Sequence, residues 1–463
     1  MKRQGRHEID MCNGPLASKI LLFALPLMAS TMLQLLFNAA DVVVVGRFAG
    51  KEALAAVGSN TSLIYLMINL FLGMSVGTNV IVAQSLGAGQ MDRVKKSVHT
   101  AITLALISGT VLGIVCVLSV RWMLELVSSP TDVIDLATIY LRIYFCGLPG
   151  NLVYNFGAAI LRAKGDTKRP LAFLTIAGVL NVALNLFFVV VVQINVAGVA
   201  IATIVSQYVS AGLVIRCLMK EEDQTRLDLR DLGIDWHVAR RIIRVGLPAG
   251  FQSCLFSLAN VVIQSGLNSF DDAALVAGAS AAVNIECFVY AAVNAFTQTA
   301  LTFTGQNYGA GKCERVDRVT MICQAFSCLS GLVLGNLVYI FGHTLAGLYA
   351  PGDEEVIAQA VLRLMIICCP YALCAVMDTI PGVVQGMGYS TVPMLVSLVG
   401  ICGLRLLWVA FVFPEFPAPA TLYISYPATW VVTTTAHVIF FFIIRKRAYN
   451  KIRRQQAAAI QPV

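Results

Sequence analysis

Setting Pro26 against Pro248 brings two halves of this chain into register without a gap: Asn38 falls on Asn260, Gln84 on Gln306, Gly87 on Gly309, Gly89 on Gly311 and Arg93 on Arg315. Farther along, Gly109-Thr-Val-Leu-Gly113 meets Gly331-Leu-Val-Leu-Gly335. A one-residue deletion then pairs Pro130 with Pro351, Arg142 with Arg363 and Pro149 with Pro370, and two inserted residues later Gly165 meets Gly388 and Pro170 meets Pro393. Proline and glycine fix kinks and turns, so their coincidence means one backbone plan used twice.

The material of each copy is apolar. Of 463 residues, 58% are hydrophobic and 13% charged, whereas soluble domains are roughly a quarter charged. Runs long enough to cross about 30 Å of hydrocarbon recur from Leu16 to Ile444, about twelve of them. The expected fold is therefore an all-α polytopic membrane protein of about twelve transmembrane helices, in two six-helix lobes. An even number of spans per lobe makes the repeat parallel.

Basic residues gather on alternate connections: Lys2, Arg3 and Arg6; Arg93, Lys95 and Lys96; Arg162, Lys164, Lys168 and Arg169; Arg240, Arg241 and Arg244; Lys312, Arg315 and Arg318; and Arg445 to Arg454. The positive-inside rule then places both termini in the cytoplasm of a cell (inner) membrane protein. The net charge of +8 reads as anchoring to the cytoplasmic leaflet, with membrane lipids as partners and no nucleic acid. Expected segments are a cytoplasmic N-terminal piece (1–15), an N-lobe of helices 1–6 (16–219), a cytoplasmic linker (220–244), a C-lobe of helices 7–12 (245–444) and a basic cytoplasmic tail (445–463). No cleaved leader is expected, because the apolar run from Ile20 continues too far. The thirteen cysteines lie mostly inside apolar runs, as small buried hydrophobes.

Motifs for catalysis fail on context. Gly73-Met-Ser-Val-Gly77 matches the nucleophile-elbow pattern but lies in an apolar run, and its repeat partner, Ala295-Phe-Thr-Gln-Thr299, abolishes it. Gly305 to Lys312 has the wrong glycine spacing for a phosphate loop and lacks the following Ser or Thr. No His-Glu-x-x-His or paired-cysteine metal pattern occurs. The reading is of a non-enzyme without catalytic residues, metal ligands or cofactor.

Polar groups deep in the spans carry more information. Gln34, Asn38 and Asp41 step by four and three along span one, so they share a helical face. An ionisable group in a long apolar helix costs several kcal/mol unless it is paired or solvated, which marks Asp41 as a functional candidate. Asn181 and Asn185 lie one turn apart on span five, with Thr203 on span six. The second lobe instead offers Asn260 and Gln264 on span seven, Glu286 on span eight, Asp378 on span ten and Arg405 on span eleven. Asp41 aligns with Ile263 and Glu286 with Ile64, so the copies have diverged where charge is concerned. Gln34, Asn260, Gln264, Glu286, Asp378 and Arg405 are the candidates for the substrate cavity, Glu286 and Asp378 to hold a cationic substrate and Arg405 to hold one of them in an ion pair when the cavity is empty, while the symmetric Arg142 and Arg363 are expected to snorkel or bind carbonyls. Pro26 and Pro248 are the candidate hinges, and Phe37, Tyr65, Phe288 and Tyr290 are candidates for stacking on planar cations.

The segment Asn38-x-x-Asp41-x-x-x-x-Gly46, the Gln84-x-x-Gly-Ala-Gly89 end of span two, its echo at Gln306 to Gly311, and the six-plus-six repeat together resemble the multidrug and toxic compound extrusion (MATE) transporters, closest to the bacterial branch related to the DNA-damage-inducible transporters. The likeness runs from about Leu16 to Ile444. It implies efflux of organic, often cationic, compounds in exchange for protons or sodium ions by rocking lobes, in a chain expected to act as a monomer. It also implies that Asp41 is the coupling carboxylate, helped by Asn181, Asn185 and Thr203. The chain departs from many relatives at Asn185, where an Asp is common, and at Phe256, where some sodium-coupled relatives carry a Glu; both departures favour protons. The alternative is a flippase for lipid-linked oligosaccharides or cell-wall precursors, for which several basic cavity residues are expected.

Overall fold

The computed structural model describes residues 8–48, 61–126 and 131–460, all of them in helices or short connections, with no strand among them. In chain order the helices are α1 (Leu16–Phe48), α2 (Thr61–Gly87), α3 (Met91–Leu126), α4 (Thr131–Cys146), α5 (Leu148–Lys164), α6 (Lys168–Leu186), α7 (Asn195–Met219), α8 (Trp236–Asn268), α9 (Ala273–Gly309), α10 (Cys313–Ile340), α11 (Gly342–Tyr349), α12 (Glu354–Cys368), α13 (Tyr371–Gly386), α14 (Thr391–Ser397), α15 (Leu404–Leu407) and α16 (Pro419–Ile460). Among the described residues, ten helical stretches are long and apolar enough to span a bilayer. Two bent pairs, Ile134–Cys146 with Leu148–Lys164 and Glu354–Cys368 with Tyr371–Gly386, raise the count to twelve, with bends of 43° and 51°. The breaks fall at Gly147 and at Cys369 with Pro370, and the aligned Pro149 and Pro370 stand at the start of the following helix, since a proline ring cannot continue a helix from the preceding turn.

The outer faces confirm the solvent for which these helices are built. On α3, Val111, Ile114, Val115, Leu118 and Trp122 are all more than half exposed. That stripe is apolar where a soluble helix would be charged.

The chain forms two compact units, residues 1–10 with 29–250 and residues 11–28 with 251–463. Two helices are shared out between them. Leu16–Met28 of α1 belongs to the second unit and the rest to the first, while α8 passes from the first unit to the second after Gly250. Both handovers follow two residues after an in-helix proline, Pro26 or Pro248.

Within the first unit α5 is central, packed against α2, α3 and α7. The second unit repeats the scheme with α13 against α9, α10 and α16. Equivalent turns match too: Gly89 and Gly311 take φ of +68° and +70°, a left-handed backbone that a side chain would strain. The Gly73 to Gly77 stretch proves to be a helix crossing. A Cβ at Gly73 would lie 2.1 Å from the backbone N of Gly250, and one at Gly77 2.2 Å from the carbonyl of Ile242, so α2 and the start of α8 meet backbone to backbone.

The N-terminal segment is fastened to both units. In the first, Ile9 N donates to Gly165 O at 3.2 Å and Glu8 pairs with Lys164 at 2.7 Å. In the second, Met11 O accepts from Asn307 Nδ2 and Arg315 Nε at 3.1 Å each, and Lys312 Nζ donates to Cys12 O at 2.8 Å.

Candidate functional site

In the first unit, α1 carries Asp41 against α6 and α7. Phe37, one turn earlier, lies flat on Gly178, where even a methyl group would overlap the ring. One turn later Val44 and Val45 are buried with Leu141, Phe145, Val199 and Ala200. These contacts fix the half-buried Asp41 carboxylate beside Asn185, whose Nδ2 donates to Asp41 Oδ1. Asn185 Nδ2 also reaches Asn181 Oδ1 at 3.3 Å, and Asn181 Nδ2 donates to Thr203 Oγ1 at 3.4 Å. Thr203 Oγ1 in turn donates to Val199 O at 2.9 Å. A π-helical segment, Phe187–Val191, begins two residues after Asn185, an irregularity that recurs at functional sites. The structure therefore brings Asp41, Asn181, Asn185 and Thr203 into one chain of hydrogen bonds. Gln34 and Asn38 are exposed on the same helix outside that chain.

The network has an imbalance of charge. Among the described residues no Lys, Arg or His lies within ion-pairing distance of Asp41, and the buried Asn185 Oδ1 has no hydrogen-bond partner. The carboxylate is met by the Asn185 amide, a hydrogen-bond donor that carries no charge.

The second unit corrects two expectations. Arg405 does not pair with Glu286 or Asp378. Glu286 on α9 instead meets Arg363 of α12, which packs directly against α9, with Nη2 to Oε2 at 3.2 Å. Nor does Arg363 snorkel: it is 4% exposed and lies over the rings of Tyr423 and Tyr426, 5.3 and 5.4 Å from their centroids. Its repeat partner Arg142 is exposed, so the alignment of the two arginines conceals different surroundings.

Arg405, 2% exposed, donates from Nη1 to Asn260 Oδ1 at 3.1 Å and sits 3.9 Å above the ring of Tyr426. The Tyr426 hydroxyl donates to the same Asn260 oxygen at 3.2 Å. Asp378 is buried next to the Tyr290 hydroxyl. Gln264 bonds to Asn268 Oδ1 in its own helix at 3.0 Å. Sequence reasoning missed a third polar set: buried Gln385 donates to Gln252 Oε1 at 2.9 Å, and Gln252 to Ser397 Oγ at 3.0 Å. An amide in the turn after Pro248 was its available signal. Phe288 is half-buried and Tyr290 39% exposed, while the Tyr65 side chain lies outside the described residues.

Comparison with known proteins returns the same repeat. The family model described as MatE matches residues 26–187 and again 248–410, each match starting at one of the paired prolines. This chain belongs to the MATE family. It is thus a multi-span membrane transporter, of a family that is not an enzyme class. Among its relatives, the probable multidrug resistance protein YoeA of Bacillus subtilis is 27% identical, with 93% of this chain and 95% of that one covered. The probable multidrug resistance protein NorM of Thermotoga maritima is 26% identical, covering 91% of both. An FAD transporter of Shewanella oneidensis is 24% identical over 78% of this chain and 80% of its own. Among solved MATE structures, one described as an outward-facing multidrug resistance transporter superposes with a TM-score of 0.88 at 21% identity, covering 96% of this chain and 99% of that one, which establishes the shared fold.

Proposed function

We propose that this MATE protein exports small organic molecules across the cell membrane in exchange for protons, with Asp41 as the coupling group. The observation that carries the reading is a carboxylate inside a spanning helix that has an amide partner and, among the described residues, no cationic one. A proton taken up from the outer side cancels that charge, weakens the bond from Asn185 and lets α1 and α6 repack; its release inside restores the network. Pro26 and Pro248, each two residues before its helix passes from one unit to the other, act as hinges for that change, and both termini lie in the cytoplasm. Organic cations are included in the cargo, with buried Asp378 beside Tyr290 as the group that favours positive charge.

The driving force is adequate. One charge moving through about 100 mV supplies roughly 2.3 kcal/mol and one pH unit about 1.36 kcal/mol. Together they sustain a gradient of a neutral substrate on the order of a few hundredfold.

Sodium coupling is the second reading, favoured by the unpartnered Asn185 Oδ1. That oxygen, with Asp41 and Asn181, offers a hard cation its preferred ligands. Purified protein in proteoliposomes, given a fluorescent organic cation and either a pH gradient or a sodium gradient alone, separates the two. Transport driven by pH and lost in Asp41→Asn is the expected result. Transport driven by sodium alone selects the second reading, and movement of lipid-linked precursors with no gradient-driven cation transport replaces both with a flippase.

A further inference from the structure

We propose that the second unit recognises an oxyanion on the cargo, a carboxylate or phosphate group, through Arg405 and Asn260. This deepens the export reading and rests on it for the identity of the ligand as cargo. Arg405 is buried, and among the described residues no carboxylate lies within ion-pairing distance of it: of the two candidates, Glu286 is engaged by Arg363, and Asp378, beside Tyr290, forms no ion pair with it. Its Nε is buried without any hydrogen-bond partner. Desolvating a guanidinium without a counter-anion is costly, and a charge that persists in such a place is held for a partner that comes and goes.

The surroundings are rich in donors. Asn260 spends its carbonyl on both Arg405 and Tyr426, which turns the amide's other end, an NH2 donor, away from them. Asn260 is also the exposed member of the cluster, so a ligand reaches the guanidinium past it. The planar fork of an arginine matches the two oxygens of a carboxylate or phosphate, and the Tyr426 ring that carries the guanidinium holds it ready. The backbone gives independent support: α15 is a single regular turn between two π-helical segments, Leu398–Gly403 and Trp408–Val412, a distortion centred on Arg405 of the kind found at functional sites.

Equilibrium binding to purified protein in detergent, with no ion gradient, tests this apart from transport. The probes are two fluorescent pairs that differ in their acid group: flavin mononucleotide with riboflavin, and pyrenebutyrate with pyrenebutanol. Wild type is expected to bind the acid member of at least one pair about tenfold more tightly than its neutral counterpart, the size expected of one charge-assisted contact. Arg405→Leu and Asn260→Asp, the latter placing a carboxylate beside the guanidinium, are expected to bring that ratio close to one. Because Asn260 is exposed, Asn260→Asp decides the matter if Arg405→Leu does not fold. No acid preference in either pair, or a preference that survives in folded Asn260→Asp, overturns the proposal. An Arg405-dependent preference for a compound that neither gradient moves would uphold this site while removing the export reading.

Discussion

Asp41, Asp378 and Arg405 are charged groups inside the spans for which, among the described residues, no ion pair with an opposite charge is formed. Asp41 is held by Asn185, an amide that tolerates both the ionised and the protonated carboxyl, because it presents a donor and an acceptor within reach. Asp41→Asn is therefore expected to remain folded while gradient-driven uptake falls by at least about tenfold, the effect of losing a proton-carrying group, measured in the same liposomes as wild type. The opposite case is Glu286. Removing its charge leaves Arg363 buried with tyrosine faces but no anion, and Glu286→Gln is expected to cost about 3 kcal/mol, read as a large drop in thermal stability in detergent. Asp41 was legible in the sequence because a lone carboxylate in an apolar run stands out. The partners of Glu286 and Arg405 were not: Asn260 and Arg405 are far apart in the chain, and helical periodicity names the face of a residue without naming the helix opposite. Arg363 was misread because its alignment with Arg142 suggested equal roles, whereas Tyr423 and Tyr426, which receive it, have no counterpart in that comparison.

Helices in this fold are placed by small residues and irregular turns more than by apolar matching. The crossing of α2 over the start of α8 needs Gly73, Gly77, Gly246 and Gly250, each of which has backbone of the other helix where a Cβ would stand. Gly73→Val is expected to abolish folded protein, seen as loss of a monodisperse peak on size exclusion, since neither backbone is able to yield without moving a whole span. Pro248→Ala predicts a milder change. It restores a hydrogen bond and stiffens α8 where the helix passes between units, so substrate binding at equilibrium should persist while turnover slows. The repeat itself was readable because Pro149 and Pro370, or Gly89 and Gly311, do the same geometric work in each copy. The π-helical segments around Arg405 were not readable, because their residues are ordinary helix formers whose register is set by neighbours.

At the scale of the molecule, charge outside the spans ties the segments of the first unit together. Lys164 meets Glu8 at 2.7 Å and Asp223 at 2.8 Å, and also Glu221; these three acids have the spacing of a metal site, and the ammonium already stands among them. Burial pushes the Asp223 carboxyl up, but the bonds from Lys164 and Thr225 outweigh it and hold the carboxyl below its usual value of 3.8. A depressed value means that the contribution is present above the ordinary carboxylate range and is lost as pH falls through and below 3.8. Asp223→Asn should thus melt slightly below wild type at pH 7, with the gap closing as the pH falls below 3.8, and with the difference kept small by solvent, since the side chain is half exposed.

The division of the chain also sets an order of assembly. Met11–Met28 leaves the ribosome ahead of residues 29–250 of the first unit, yet it belongs to the unit whose remainder starts at Phe251. Until α9 and α10 exist, Phe23 lacks Phe303, whose ring it meets edge-on at 5.4 Å, and the carbonyl of Met11 lacks Asn307 and Arg315. A segment made before the whole of residues 29–250 thus waits for the residues that follow them to find its place. Despite the duplicated architecture, a gene cut at the repeat boundary would yield a second half missing one of its own parts.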